Sequence, residues 1–472
     1  MESLRVDEIA AAVGGRLDPA CTPDRQVQGV AVDSRAVAPG DLFVALPGER
    51  TDGHRFVLPA WQAGAAALLV SQAKEAEIPA SVRSGVVWVD DPLAALLRLG
   101  RWYRERFPVQ TVAVTGSNGK TTTKEMIAAI LRQVAPTLRS AGNFNTEIGL
   151  PLTLFQLSRE HRYLVVEMGM RGPGQIRRLA GLAKPQAGVV TNVGPVHLEL
   201  LGSLEAIRRA KQELVESLLP GGVAVLNADD PRVSSMAPAA SGARVVFYGF
   251  SSGAEARAVD VDLNDVTRCR YTLVWQERVR IPIEVPVPGR AAVWNSLAAA
   301  CLALAWGVDP GKIQAGLAHV EPTARRLQVV NLPGEVTLIE DMYNASPASF
   351  AVALDVLSRL GERRAGSRRV AVVGDMRELG EYAPQAHRQL GEELVHAGVE
   401  LLVTVGPWAQ MAGESAQASA GQKGQPLEWH ATADSTQAAS VVAPLLRAGD
   451  IVLIKGSRAL ELERVAEVLH SH

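Results

Sequence analysis

The chain has 472 residues, with 48 Lys and Arg against 50 Asp and Glu for a formal net charge of −2. At about 150 residues per domain that length gives about three domains, and 47% hydrophobic with 21% charged residues is the make-up of a globular protein. The near-neutral charge argues against a nucleic-acid surface, which needs a basic excess, and no apolar run has the length of a membrane span.

The opening stretch MESLRVDEIA carries acids and lacks the apolar core of a signal peptide. Cys21, Cys269 and Cys301 lie far apart, in no metal or redox spacing. A cytoplasmic enzyme, monomeric, is expected rather than a disulfide scaffold. In the first block, residues 1–108, VQGVAVDSR and GDLFVAL read as strands bounded by turn residues, and HRFVLPAWQAGAAALLV as a helix followed by a buried strand. Pro108 precedes a new apolar run and marks the first boundary.

From Val109 the pattern is strand, loop, helix, repeated. TVAV is a strand, and KTTTKEMIAAIL has apolar positions at helical spacing. YLVVEMG, AGVVTNVG and GGVAVLNADD are continuous apolar runs, which suit central strands of a parallel sheet buried on both faces. This second block is expected to run over 109–323. The third, 324–472, repeats the grammar in VTLIEDMYN, RRVAVVGDM, ELLVTVG and DIVLIKGSR. Ligands in such open α/β sheets bind at the carboxyl ends of the strands. GESAQASAGQKGQPLE has few large apolar residues and reads as a surface loop. The fold class is therefore α/β in three domains: a small α/β unit, a central parallel-sheet domain of P-loop type, and a C-terminal Rossmann-like domain.

The chemistry begins at AVTGSNGKTTTKEMIAAIL, Ala113 to Leu131. A P-loop has four residues between its first glycine and the Gly-Lys pair; here only Ser117 and Asn118 separate Gly116 from Gly119. The physics survives the shorter spacing. A strand ends, glycines permit tight turns, and a helix opens near Lys120, so backbone N–H groups and the helix N-terminus face an anion. Lys120 supplies a point charge and the Thr121 hydroxyl can ligate Mg²⁺.

TGSNGKTT resembles the ATP loop of the Mur ligase family, which has this shortened spacing. The resemblance runs through all three blocks, from DSRAVAPGDLFVALPGERTDGHRFV to KGSRALELE. EDMYNASPASF, GDMRELGE and IKGSR, in that order, are similar to the member that adds D-alanyl-D-alanine to UDP-N-acetylmuramoyl-tripeptide. The DNPR motif of the ligase that adds the third residue is missing. Folylpolyglutamate synthetases share the loop but not the DSR and GDLFVAL module. The resemblance implies an ATP- and Mg²⁺-dependent ligase that activates a carboxylate as an acyl phosphate, with UDP-MurNAc-tripeptide and D-Ala-D-Ala as substrates. The competing expectations are a third-residue ligase, or a nucleotide-binding protein without turnover.

Residue by residue, the resemblance assigns Gly116, Ser117, Asn118, Gly119, Lys120, Thr121 and Thr122 to the ATP phosphates. Glu167 ends a buried strand, where a carboxylate is costly unless it binds something; Mg²⁺ is expected there, with a helix cap or a salt bridge to Arg171 as the alternatives. His197 also follows a strand, and the resemblance makes it a Mg²⁺ ligand rather than a structural histidine. Lys211 reads as an ordinary helical lysine on a solvated face, but at this match the family's lysine is carbamylated and helps hold a second Mg²⁺. Lys120, Glu167, His197 and Lys211 form the expected catalytic set.

Asn143, Asn145 and Thr146 suit hydrogen bonds to a polar substrate, or a cap on the following helix. Asn295 matches an adenine-contacting asparagine and could equally cap its alanine-rich helix. Arg326, with Arg325 as its competitor, matches the arginine near phosphates and ribose; Asp341 is expected at the ribose hydroxyls and Tyr343 at the base. Ser346 stands where the family more often has asparagine. Ser34 and Arg35 match the uridine-diphosphate end, beside DGHRF, and a turn network around Asp33 and Asp52 is the alternative. Lys455, Ser457 and Arg458, at a strand-to-helix turn, are candidates for the dipeptide's carboxylate. Asp375 could take the dipeptide's ammonium or orient its own loop.

Overall fold

The computed structural model describes residues 1–48, 51–321, 324–364 and 366–471. Three large sheets divide the chain in sequence order, and a two-stranded antiparallel ribbon, Leu4–Arg5 with Gln26–Val27, stands beside the first. The first has five strands in the order Arg16–Leu17, Val86–Val89, Ala67–Ser71, Asp41–Val44 and Gly29–Ala31, parallel except for the first pair. The helix Pro92–Glu105 follows, capped by the Asp91 carboxylate on the N–H groups of Leu93 and Ala94 and opened by Pro92.

At the end of that helix Arg104 is buried. Its guanidinium donates to the carbonyls of Phe107, Val109 and Ala183 and to the Thr111 hydroxyl, at 2.9–3.2 Å. A planar five-donor group suits this task, because it ties the carbonyls of the turn into the second sheet to the last carbonyl of the helix Gln175–Ala183. Tyr103 adds a second tie: its hydroxyl accepts from the Glu2 N–H and donates to the Leu157 carbonyl.

The second sheet has nine strands. Its parallel core runs Ala256–Asp262, Arg244–Gly249, Val223–Asn227, Ala187–Val190, Gln110–Thr115, Tyr163–Glu167 and Thr137–Arg139. Val112, Val114, Val165, Val166, Val189 and Val225 are fully buried there, as covering on both faces requires. Two antiparallel strands, Cys269–Trp275 and Val279–Val285, extend one edge. They add to the parallel sheet read from the sequence. Their exposed Arg270 and part-exposed Thr272 alternate with buried Cys269, Tyr271 and Leu273, so no continuous apolar run announces them.

The third sheet has six strands, ordered Gln328–Asn331, Thr337–Asp341, Ile451–Lys455, Arg369–Gly374, Val399–Val405 and Glu428–Thr432, antiparallel only at the first pair. The expected boundary at Thr323 falls outside the described residues. One expectation fails here. The stretch expected as a surface loop from Gly413 is helical as far as Lys423, within the helix Pro407–Lys423. Its core face is made of alanines, with Ala409, Ala412, Ala416 and Ala420 buried at helical spacing. Alanine is the best helix former, and low side-chain bulk is not evidence of a loop. No described helix is long and apolar enough to cross a membrane.

Candidate functional site

The loop Gly116–Gly119 joins the strand Gln110–Thr115 to the helix Lys120–Arg132. Gly116 has φ +148°, and a Cβ there would lie 1.8 Å from the Thr191 hydroxyl. Gly119 has φ +79°, and its Cβ would lie 2.4 Å from Asn295 Oδ1. Both positions therefore need glycine, for backbone conformation and for space. The second contact also places Asn295 against the loop.

The loop is held from the next strand end. Asn118 N–H donates to Asn192 Oδ1 at 2.8 Å, and the Asn118 carbonyl accepts from the Thr191 hydroxyl at 2.6 Å and from Asn192 Nδ2 at 3.1 Å. Ser117 exchanges hydrogen bonds with Gly194. Thr191, Asn192 and Gly194 were not among the residues singled out from the sequence. TNVGP follows a buried strand as the loop does, and that is the signal that could have found them.

Lys120 Nζ donates to the carbonyls of Gly116 at 2.8 Å and Ser117 at 3.1 Å. Its pKa is lowered by burial, with Glu167 opposing and Arg326 adding to the fall. Glu167 is 3% exposed. Its two carboxylate oxygens accept separately, from the Thr121 hydroxyl at 2.6 Å and from Asn145 Nδ2 at 2.7 Å, while Ser140 accepts its N–H. Neither alternative read for Glu167 occurs: it caps no helix, and Arg171 pairs with Glu378 instead. Asn145 is thus tied to Glu167, whereas Thr146 accepts the Gly149 N–H at the start of the next helix and Asn143 is exposed.

Lys211 lies on the helix Leu204–Glu216 and is 2% exposed. The solvated face that plain helical reading gave it is overturned. Among the described residues nothing accepts a hydrogen bond from its amine. Burial and the neighbouring Lys120 lower its pKa well below the ordinary lysine value, so the amine is held toward its neutral form. His197 sits in left-handed backbone, φ 54° and ψ 27°, at the N-terminus of the turn Leu198–Leu201. Its Nδ1 bonds the Glu378 carboxylate. Burial lowers its pKa against the pull of Glu378, and Lys120 and Lys211 push the same way as burial.

No three described His, Cys, Asp or Glu side chains form a metal cluster. The donors present are a hydroxyl and a carboxylate, Thr121 and Glu167, which suit a hard cation such as Mg²⁺. An imidazole and a bare amine suit it less well; a carbamate on Lys211 would convert the amine into a further anionic oxygen donor.

The C-terminal domain closes the site from the other side. Ser346, which caps the helix Pro347–Arg363, donates to Asn118 Oδ1 of the loop at 3.1 Å. The Arg326 guanidinium carbon lies 3.9 Å from the Tyr343 ring centroid, so one ring face is already covered; Arg458 lies 5.4 Å from the same centroid. Arg326 Nε is buried with no acceptor among the described residues. Arg325 turns away to Glu463. A cavity of about 280 Å³, lined in part by Thr122, Glu125, Pro288, Val320 and Arg326, opens between the loop helix and this segment.

Lys455, 1% exposed, donates to Asp341 at 2.5 Å and to the Asn344 carbonyl at 3.0 Å. Both side chains expected to meet separate ligands are thus bonded to each other. Asp375 accepts the Ala409 N–H in the first turn of the alanine-rich helix, the loop-orienting alternative. Ser457 accepts the Arg377 N–H with its hydroxyl. In the first domain Arg35 is 87% exposed and paired with Asp33, whose carboxyl is lowered to about 2 by that guanidinium. Asp52 binds His54 Nδ1 at 2.6 Å, and His54 Nε2 accepts the Ser71 N–H. The turn network read around Asp33 and Asp52 is present, and Ser34 lies within it.

Three domain models match the chain in order: the Mur ligase family catalytic domain at 26–104, the Mur ligase middle domain at 114–303, and the Mur ligase glutamate ligase domain at 325–458. The UDP-N-acetylmuramoyl-tripeptide--D-alanyl-D-alanine ligase of Escherichia coli K12 is 33% identical over 100% of this chain and 99% of its own. The protein of the same name from Mycobacterium tuberculosis H37Rv is 36% identical over 99% and 98%. The chain belongs to the Mur ligase family.

Solved structures agree. MurF from Acinetobacter baumannii superposes with a TM-score of 0.89 at 30% identity over 100% of both chains. MurF ligase from Thermotoga maritima in complex with ADP gives 0.79 at 28% identity, covering 94% and 97%. In this Mur ligase the loop, Glu167 and Lys211 all come from the middle domain. The residue that sequence reading missed most plainly is Glu378, because its partner His197 is 181 positions away in the chain.

Proposed function

We propose that this Mur ligase couples ATP cleavage to the joining of D-alanyl-D-alanine onto UDP-N-acetylmuramoyl-tripeptide. The end-to-end match to ligases of that name, 33% identical over 100% of the chain, carries the reading, and the loop geometry supports it. The Gly116–Thr122 loop and Lys120 cradle the phosphates of ATP. Asn295, Arg326 with its unpaired Nε, Asp341 and Tyr343 surround the nucleoside. Ser34 and Arg35 take the uridine-diphosphate end, where the guanidinium exchanges Asp33 for phosphate oxygens.

The acceptor's terminal carboxylate attacks the γ-phosphorus and ADP leaves, giving an acyl phosphate. The amine of D-Ala-D-Ala then attacks the acyl carbon, and phosphate and a proton leave. The protein's part is positioning and charge stabilisation: Lys120 faces the transferred group, and the helix Lys120–Arg132 points its N-terminus at it. Thr121, Glu167, His197 and Lys211 would hold Mg²⁺, which when bound neutralises phosphate charge. For Lys211 this requires the carbamate, formed when the neutral amine adds to CO₂ and loses one proton. Its burial without a partner favours that neutral amine. Asp375, Ser457 and Arg458 stand on the dipeptide's side of the site. The protein works as a cytoplasmic monomer.

Phosphate release from ATP with UDP-MurNAc-tripeptide tests this. D-Ala-D-Ala is expected to trigger it and a diamino acid is not. Release triggered by the diamino acid instead would make the protein a third-residue ligase, and no release with either would leave a nucleotide-binding protein.

A further inference from the structure

Glu378 makes three contacts across the domain boundary. Its carboxylate accepts from His197 Nδ1 and pairs with Arg171 at 3.6 Å, and its carbonyl accepts the Glu199 N–H at 3.2 Å. His197 and Glu378 both occupy left-handed backbone, at φ 54° and φ 63°. For residues other than glycine such conformations persist where the surroundings over-determine them.

The segment that carries Glu378 is itself fixed. Met376 N–H donates to His387 Nε2 at 3.0 Å, and His387 Nδ1 donates to the Ala383 carbonyl at 2.7 Å. Arg377 N–H donates to Ser457 Oγ at 3.0 Å, and the Asp375 carbonyl accepts the Ser457 N–H at 3.1 Å. The carboxylate is therefore delivered by a braced turn rather than a free loop.

Resting on the reading of His197 as a site residue, we propose that Glu378 is a positioning residue: it fixes the imidazole with its proton on Nδ1 and leaves Nε2 as the free nitrogen, so that the C-terminal domain completes a middle-domain ligand set when it docks. A carboxylate that accepts from one ring nitrogen sets the tautomer and orientation of the other. His197 then presents a lone pair in the site only while Glu378 is in place. This makes domain docking and cation binding one equilibrium seen from two sides.

Histidine ¹⁵N chemical shifts of the full-length protein at pH 8 read the tautomer directly, with His197 identified among the nine histidines by its loss in His197→Ala. The wild type is expected to carry the proton on Nδ1. Glu378→Ala should lose that preference, Glu378→Gln should keep most of it through the amide oxygen, and Arg171→Ala should keep it fully. Mn²⁺ titrated into enzyme with a non-hydrolysable ATP analogue should bind about 10- to 100-fold more weakly in Glu378→Ala, and no more weakly still in the His197→Ala, Glu378→Ala double variant than in His197→Ala alone. An unchanged tautomer in Glu378→Ala, or losses that simply add in the double variant, would overturn the proposal. If Glu378→Ala does not fold, Glu378→Leu, which keeps the bulk but cannot accept a hydrogen bond, decides by the same shifts: it should lose the Nδ1 preference, and an unchanged tautomer there would overturn the proposal. Failure of D-Ala-D-Ala to trigger phosphate release would remove the functional reading and leave the tautomer result standing.

Discussion

Lys455 and Asp341 are register partners on neighbouring parallel strands, and the lysine donates to the carboxylate across 2.5 Å. Strand pairing sets the two side chains next to each other at the carboxyl end of the sheet, where ligands of open α/β folds bind. The lysine's stem is enclosed and its ammonium lies 5.3 Å from the Phe350 ring centroid, so its charge is available only locally.

Lys455→Ala should therefore act through Asp341. Removing one partner of a mostly buried pair leaves an uncompensated carboxylate and costs about 3 kcal/mol. The urea midpoint should fall, and the KM for ATP should rise as Asp341 loses its orientation. A rise confined to the KM for D-Ala-D-Ala would instead assign the lysine to the dipeptide, as its place in a strand-to-helix turn suggests from sequence alone.

Lys120→Ala should fold normally and turn over poorly. Among the described residues its ammonium bonds only the loop's own carbonyls at Gly116 and Ser117, so little stability is lost. A contact strengthened in the transition state appears in kcat more than in KM, and removal of one such donor costs roughly 10² to 10³ in kcat. Single-turnover phosphate release checks this; a variant within threefold of wild type would remove the lysine from the transferred phosphoryl group.

Gly119→Ala should be worse than its size suggests. The position combines φ +79° with a would-be Cβ at 2.4 Å from Asn295 Oδ1. The loop must shift, Asn295 must turn, or both. Affinity for ATP, measured by calorimetry, should fall at least tenfold while the thermal midpoint changes by only a few degrees. Unchanged affinity would mean that Asn295 yields freely and does not contact the base.

The loop was legible because its evidence is local: a strand, two glycines and Lys-Thr in one stretch of chain. Glu167 was legible for the same reason, as an acid ending an apolar run. Its partners Thr121 and Asn145 were each singled out, but for ligands rather than for Glu167. Glu378 was not legible, because nothing in GDMRELGE points to a histidine in another domain. The bond between Lys455 and Asp341 was not legible, because Asp341 reaches the lysine through sheet register, which sequence order hides. The alanine-rich helix Pro407–Lys423 was hidden by composition, since a core face of alanines looks like a loop when bulk is the criterion. The antiparallel edge Cys269–Val285 lacks the continuous apolar runs that marked every central strand.

Lys211 gives the last prediction. Its side chain is buried, no described residue accepts a hydrogen bond from its amine, and its pKa is held well below the ordinary value by burial and by Lys120. Between the folded-state pKa and the unfolded value near 10.5 the unfolded chain binds the extra proton, so this group makes stability rise with pH over that window. Below the folded-state pKa the full penalty of a buried ammonium remains. Lys211→Met should therefore unfold at higher urea than wild type at pH 7, and the difference should shrink as the pH approaches 10. A constant difference across pH 7–10 would mean that the lysine is paired or solvated in the free enzyme. The same burial makes the amine reactive toward CO₂. Lys211→Ala should be nearly inactive, and short carboxylic acids such as acetate should restore part of the rate by supplying the missing carboxylate. Full activity in Lys211→Ala, or no rescue by any short acid together with electron density for a bare lysine in a nucleotide- and Mg²⁺-loaded crystal, would rule out the carbamate. In that case the buried amine would have only a packing role.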